Sequence, residues 1–130
     1  MISSNVIANY TELIPLTNVL STLKNEGKIP IAILYGSFAK GNPHPRSDID
    51  LAVYLEGKDE NEIIDIIDTI LMSVERDISI LRLDDEDESP FIVQEALKGI
   101  HLVEPDRNIL YEIIHRVLHE SESIRYRRNM

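Results

Sequence analysis

A chain of 130 residues with 43% hydrophobic content holds enough apolar mass for a core of its own, and residues 1–130 are expected to form one domain. Its 13 basic and 23 acidic residues leave a net charge of −10, which disfavours direct nucleic-acid binding, because that affinity comes from Lys and Arg neutralising phosphates. The absence of Cys excludes disulfides and thiolate metal sites. No basic region followed by an apolar run marks a signal peptide, and no apolar stretch approaches the ~18–20 residues of a membrane span, so a soluble cytoplasmic protein is expected.

With aromatics at 5% and no Trp, the core must be built mainly from Ile, Leu and Val. Leu13, Leu16, Val19, Leu20 and Leu23 recur at helical spacing. Pro15 suits the first turn of that helix and Gly27 its end. Ahead of Thr11, Val6, Ile7 and Tyr10 fit either an extra turn or a separate short helix. Residues 29–35 form a short apolar run that suits a buried strand. Residues 49–55 alternate: Ile49, Leu51, Val53 and Leu55 share one face, while Asp48, Asp50, Ala52 and Tyr54 share the other, as in a half-buried strand. A helix over about 59–74 carries an apolar stripe of Ile63, Ile64, Ile67, Ile70, Leu71 and Val74. A strand over 76–83 places Ile78 and Ile80 opposite Asp77 and Ser79.

The five acids from Asp84 to Glu88 read as a solvated loop. Ser89-Pro90 opens a helix that Gly99 stops, and residues 100–103 form a short strand. Asp106 then caps a final helix whose buried face carries Ile109, Leu110, Ile113, Ile114, Val117 and Leu118. On that helix His115 and His119 read as a solvent-facing pair, and the basic tail from Arg125 to Arg128 as a frayed terminus. This order predicts an α/β (α+β) fold, a small mixed β-sheet flanked by helices.

The chemistry concentrates between the first two strands. Asp48 and Asp50 lie two apart on one strand, so they point the same way with Cα atoms roughly 6.5 Å apart. Such a pair suits Mg²⁺, a hard cation that takes oxygen ligands and shares them with substrate phosphates. Gly36-Ser37, after the first strand, supplies small residues and backbone N–H groups that can approach a phosphate chain closely. A two-metal site ordinarily needs a third carboxylate. Asp77, opening the next strand on the face of Ser79, is the candidate, with Glu75 as the alternative. Together these are the parts of a site for a nucleoside triphosphate with metal.

Gly36-Ser37, ten intervening residues, then Asp48-Ile49-Asp50 resembles the signature of the DNA polymerase β-like nucleotidyltransferase superfamily. The fuller string, Gly36-Ser37-Phe38-Ala39-Lys40-Gly41 followed by Ser47-Asp48-Ile49-Asp50-Leu51-Ala52-Val53, is similar to its small prokaryotic branch, the minimal nucleotidyltransferases. The segment Gly99-Ile100-His101-Leu102-Val103-Glu104 also resembles that branch. The resemblance implies that Gly36 and Ser37 hold the triphosphate of ATP. Asp48 and Asp50 would bind two Mg²⁺, with Asp77 as third acid and base. Lys40 stands where many relatives have Arg, which keeps the charge but loses bidentate phosphate recognition. Arg46 in the following loop also reaches toward phosphate in this reading.

Larger relatives resemble this core plus a helical domain that holds the acceptor. Here one helix follows the core, so the acceptor is expected to be another protein. Minimal nucleotidyltransferases are typically paired with HEPN-domain proteins. The resemblance therefore implies an antitoxin that transfers AMP to a tyrosine of a HEPN ribonuclease toxin. The alternatives are a non-catalytic antitoxin acting by occlusion, and transfer to a small molecule or an RNA end.

Overall fold

The computed structural model describes residues 11–43 and 47–128, with the side chains beyond Ser121 outside that description. His44 and Arg46 therefore lie outside the described structure, as do residues 1–10 and the side chains of the tail from Arg125 to Arg128, whose backbone continues the last helix. A 3₁₀ turn at Thr11–Leu13 leads into α1 (Ile14–Asn25), then β1 (Ile31–Tyr35), the short α2 (Gly36–Lys40) and β2 (Ile49–Tyr54). After these come α3 (Glu60–Leu71), β3 (Ile78–Arg82), α4 (Pro90–Leu97), β4 (Ile100–His101) and α5 (Arg107–Arg128). The four strands form one mixed sheet in the order β3-β2-β1-β4. The β1–β2 and β1–β4 pairs are antiparallel, and β2–β3 is parallel. Helix α3 supplies the crossover that a parallel pair needs.

Each helix forms where the sequence offers a start and an apolar stripe. Pro15 sits in the first turn of α1, where its missing N–H leaves no bond unmade. Asp59 caps α3: its carboxylate accepts a hydrogen bond from the Glu62 N–H at 2.9 Å. Asp106 does the same for α5, accepting from Ile109 N–H at 3.2 Å. Both caps satisfy donors that a helix start leaves open.

Two apolar clusters sandwich the sheet. One joins Leu13, Leu16, Leu20 and Leu23 of the first helical segment to Leu34, Ile49, Leu51 and Val53, with Ile66 and Ile70 of α3. The other joins Ile31, Ile33, Ala52, Leu81 and Leu83 to Val93 and Ala96 of α4 and to Ile113 and Val117 of α5. The second strand is thus covered on both faces rather than half-buried: Ala52 is fully buried because α4 and α5 close over it. The ends of that face stay partly open, at Asp48 and Asp50 on one side and at Tyr54 on the other.

The α3 stripe also differs from its expected form. Ile66 is buried, while Ile64 is 53% exposed and Leu71 is exposed as well. Five isoleucines within eight residues (63, 64, 66, 67 and 70) make the angular position of the stripe ambiguous in sequence, and contact with α1 decides it. On α5, Ile113 and Val117 are buried but Leu118 is half exposed. His115 and His119 are exposed.

Gly99 joins α4 to β4 where backbones come closest. A Cβ there would stand 2.2 Å from the Leu34 carbonyl oxygen and 2.8 Å from Ile33 Cγ2. We expect Gly99→Ala to cost about 1–3 kcal/mol in urea denaturation, the range for forced overpacking against an immobile neighbour.

Candidate active site

Strand β1 ends at Tyr35, and the chain turns at once into α2 through Gly36, whose φ is +72°. The short helix is held down by Phe38, which is 1% exposed in the main core cluster. Burying a side chain of that size contributes roughly 1.5–3 kcal/mol, enough to fix a five-residue helix that would not form alone. Gly36 and Ser37, which follow the first strand, begin a helix, and both are half-buried. Lys40 is exposed at its end.

The two halves of the motif meet in space. Tyr35 pairs with Asp50 across the β1–β2 ladder. A Cβ on Gly36 would lie 2.2 Å from Oδ2 of Asp50 and 3.0 Å from its Cγ. The Asp50 carboxylate therefore rests against the bare Cα of Gly36, in space any other residue would fill. Burial, and then the charge of Asp48, raises the Asp50 carboxyl above the usual carboxylate range. Across the ladder the Tyr35 phenol is pushed up by burial, then by Asp50 and by Glu88. This end of the sheet thus gathers negative charge, which suits a ligand that brings a cation.

In the β2–β3 register, Asp50 pairs with Ser79 and Ile49 with Ile78. The Ile49 N–H donates to the Asp77 carbonyl at 2.9 Å, which sets Asp77 beside Asp48 one strand over. Asp48, Asp50, Asp77 and Ser79 thus share a face. Asp48 and Asp77 are exposed, as is Glu75 in the preceding turn. Among the described residues, no three acidic or histidine side chains converge tightly enough to hold a metal ion together. The pair that fits a hard cation is Asp48 with Asp50: oxygen donors of like charge, one of them held above its ordinary pKa by burial and then by the other's charge.

A groove of about 400 Å³ opens beside Gly36, lined by Tyr35, Ala39, Lys40, Glu95, Lys98 and Ile100. Two lysines thus flank a cavity floored by glycine. Lys98 escaped the sequence reading because it stands far from the motif, at the end of α4; it also donates to Glu95 at 3.1 Å.

Arg76 was missed too. Its Nη1 donates to the Ser47 carbonyl at 3.0 Å, and its Nη2 pairs with Glu12 at 3.1 Å. The guanidinium lies 5.1 Å from the centre of the Phe38 ring. One side chain thereby ties the 3₁₀ turn, helix α2 and the residue before Asp48 into one block. We expect Arg76→Ala to cost about 2 kcal/mol in urea denaturation, from charge-assisted hydrogen bonds and the ring contact. Arg76→Lys should recover less than half of it, since an ammonium cannot fork between Ser47 and Glu12.

The sequence profile of the polymerase β nucleotidyltransferase domain matches residues 17–108. That span covers both strands of the site and the Gly-Ser helix. The chain belongs to the polymerase β nucleotidyltransferase family. No curated protein matches it closely. Solved structures share the fold of this nucleotidyltransferase at low identity. A chain of a toxin–antitoxin crystal structure with AMP-PNP is 18% identical, with a TM-score of 0.63 over 87% of this chain and 93% of that one. A chain from the complex of a tri-AMPylated Shewanella oneidensis HEPN toxin with its MNT antitoxin is 14% identical, with a TM-score of 0.60 over 91% and 92%. A chain of the MntA–HepT toxin–antitoxin structure is also 14% identical, with a TM-score of 0.59 over 89% and 92%. No helix among the described residues is long and apolar enough to cross a membrane.

Proposed function

We propose that this nucleotidyltransferase is a cytoplasmic antitoxin that transfers AMP from ATP to a tyrosine of a HEPN-domain toxin. The observation that carries the reading is the contact between Gly36 and the Asp50 carboxylate, with Asp48 beside it and the lysine-flanked groove adjoining. The likeness to chains from antitoxin complexes, one with AMP-PNP and one with an AMPylated HEPN toxin, supports the choice of ATP and of a protein acceptor.

In this reading the groove beside Gly36 takes the nucleotide. Gly36 and Ser37 let the triphosphate approach the backbone closely, and Lys40 and Lys98 offset its charge. Arg46 remains a candidate phosphate contact from sequence. Asp48 and Asp50 would hold Mg²⁺, with Asp77 completing the set for a second ion. When bound, the metal neutralises the triphosphate and stabilises charge developing at the α-phosphate. The tyrosine oxygen forms a bond to the α-phosphorus. The bond from that phosphorus to the oxygen bridging to the β-phosphate breaks, and pyrophosphate leaves with the electron pair. The phenolic proton passes to the Asp77 carboxylate. The acceptor stays attached to AMP through a phosphodiester.

The test uses Mg-ATP and the protein product of the neighbouring gene. Wild-type protein is expected to adenylylate that partner. The Asp48→Asn, Asp50→Asn double variant should still bind the partner but transfer nothing. Equal transfer by the double variant would place the chemistry elsewhere.

A further inference from the structure

The site has two flanks, and the groove beside Gly36 occupies the one toward β4. The other flank is the free edge of β3. Asp77 accepts from Ile49 at 2.9 Å, and the Leu83 N–H donates to the Val53 carbonyl at 2.8 Å. Odd-numbered residues of this segment therefore turn their backbone toward β2, and Ile78, Ile80 and Arg82 turn theirs away. Among the described residues, the N–H and C=O groups of Ile78 and Ile80 have no hydrogen-bond partner on that side. Their side chains pack against the main core cluster, so the edge is held rigidly in extended form. The opposite edge, β4, has only two residues, too short to template a strand.

We infer that the β3 edge is the docking site of the acceptor: an extended, basic, tyrosine-bearing segment that adds to the sheet as a fifth strand. This rests on the adenylyl-transfer reading and names how its acceptor is presented. Residues paired across a ladder share a face. A segment residue opposite Asp77 or Ser79 thus presents its side chain on the face that carries Asp48 and Asp50. Backbone pairing of this kind gives affinity, and the alternate side chains give selectivity. The charge of the segment follows from the ends of the edge. Glu75 and Asp77 are exposed at one end, and Asp85, Glu86 and Asp87 at the other. The arginines between them are already engaged, Arg76 with Glu12 and Arg82 with Asp84. Lys or Arg on both sides of the tyrosine would meet these acids.

Amide hydrogen exchange tests the proposal on the complex with the protein product of the neighbouring gene. The amides of Ile78, Ile80 and Arg82 are expected to exchange rapidly in the free protein and to become protected in the complex, with those of β4 unchanged. A complex that leaves the three amides exchanging as before overturns the proposal, and so does failure of the two proteins to associate. Protection without AMP transfer would leave edge docking standing and overturn the transfer reading instead. As an independent check, Ile78→Pro removes an outward N–H that no described residue uses. It should raise KM for the protein acceptor roughly five-fold or more, the scale of one lost hydrogen bond, with the affinity for Mg-ATP unchanged. An unchanged KM overturns the proposal.

Discussion

Asp50→Asn is expected to lower nucleotidyl transfer by about 10³-fold or more while making the ligand-free protein more stable at neutral pH. The first effect follows from the proposed role of Asp50 in holding Mg²⁺, worth several kcal/mol of charge stabilisation. The second follows from the raised Asp50 carboxyl, which burial and the Asp48 charge hold above its ordinary value. A carboxyl with a raised folded-state pKa binds its proton more tightly when folded. Stability is therefore undiminished below the unfolded-state pKa and declines as pH rises through the folded-state pKa. Asn carries no such titration, so its advantage should appear above that window and vanish below it. Thermal melts across pH measure this directly. Mg-ATP should raise the melting temperature of the wild type and leave that of Asp50→Asn unmoved, because only a ligand that binds the folded state stabilises it. A loss of activity without a gain in apo stability would mean that Asp50 is not held in a charged, partly buried site.

The second large effect is expected at Gly36. Alanine there must adopt φ near +72° and place its Cβ 2.2 Å from the Asp50 carboxylate oxygen. The backbone conformation alone costs about 1–2 kcal/mol for a residue with a Cβ. The contact adds more and displaces the carboxylate, so transfer should fall with stability. A double-mutant cycle separates the two. In an Asp50→Ala background the obstructing carboxylate is gone, and Gly36→Ala should cost only the backbone part. If its cost is the same in both backgrounds, the contact between the two halves of the site does not exist in solution. Gly99 provides the contrast, since its neighbour is the Leu34 carbonyl, which cannot be removed by mutation.

The fold was legible in sequence wherever local signals agreed. Pro15, Asp59, Ser89-Pro90, Gly99 and Asp106 punctuate the chain, and the helices and strands fall between them as the spacing predicts. The register of α3 was not legible, because closely spaced isoleucines satisfy several helical faces and only contact with α1 chooses among them. The covering of Ala52 was hidden for a related reason: one small apolar residue between two polar neighbours does not announce that α4 and α5 lie over it. Of the acidic run, Asp84 proved structural, accepting from Arg82 and from the Leu55 N–H. Glu88 proved close enough to perturb Tyr35. The meeting of Gly36 with Asp50 was legible, because the two stand at fixed spacing at the adjoining ends of neighbouring strands. Arg76 and Lys98 were not, since each reaches the site from an element distant in sequence and carries no motif of its own.

Transfer of the nucleotidyl group of ATP at this site is decided by the position of the label. ATP labelled at the α-phosphate and ATP labelled at the γ-phosphate are incubated in parallel with the protein, Mg²⁺ and the protein product of the neighbouring gene. Stable label is expected on the partner from the α-position alone, with the γ-label recovered in pyrophosphate. Label from the γ-position on the partner, or none from either, would contradict it.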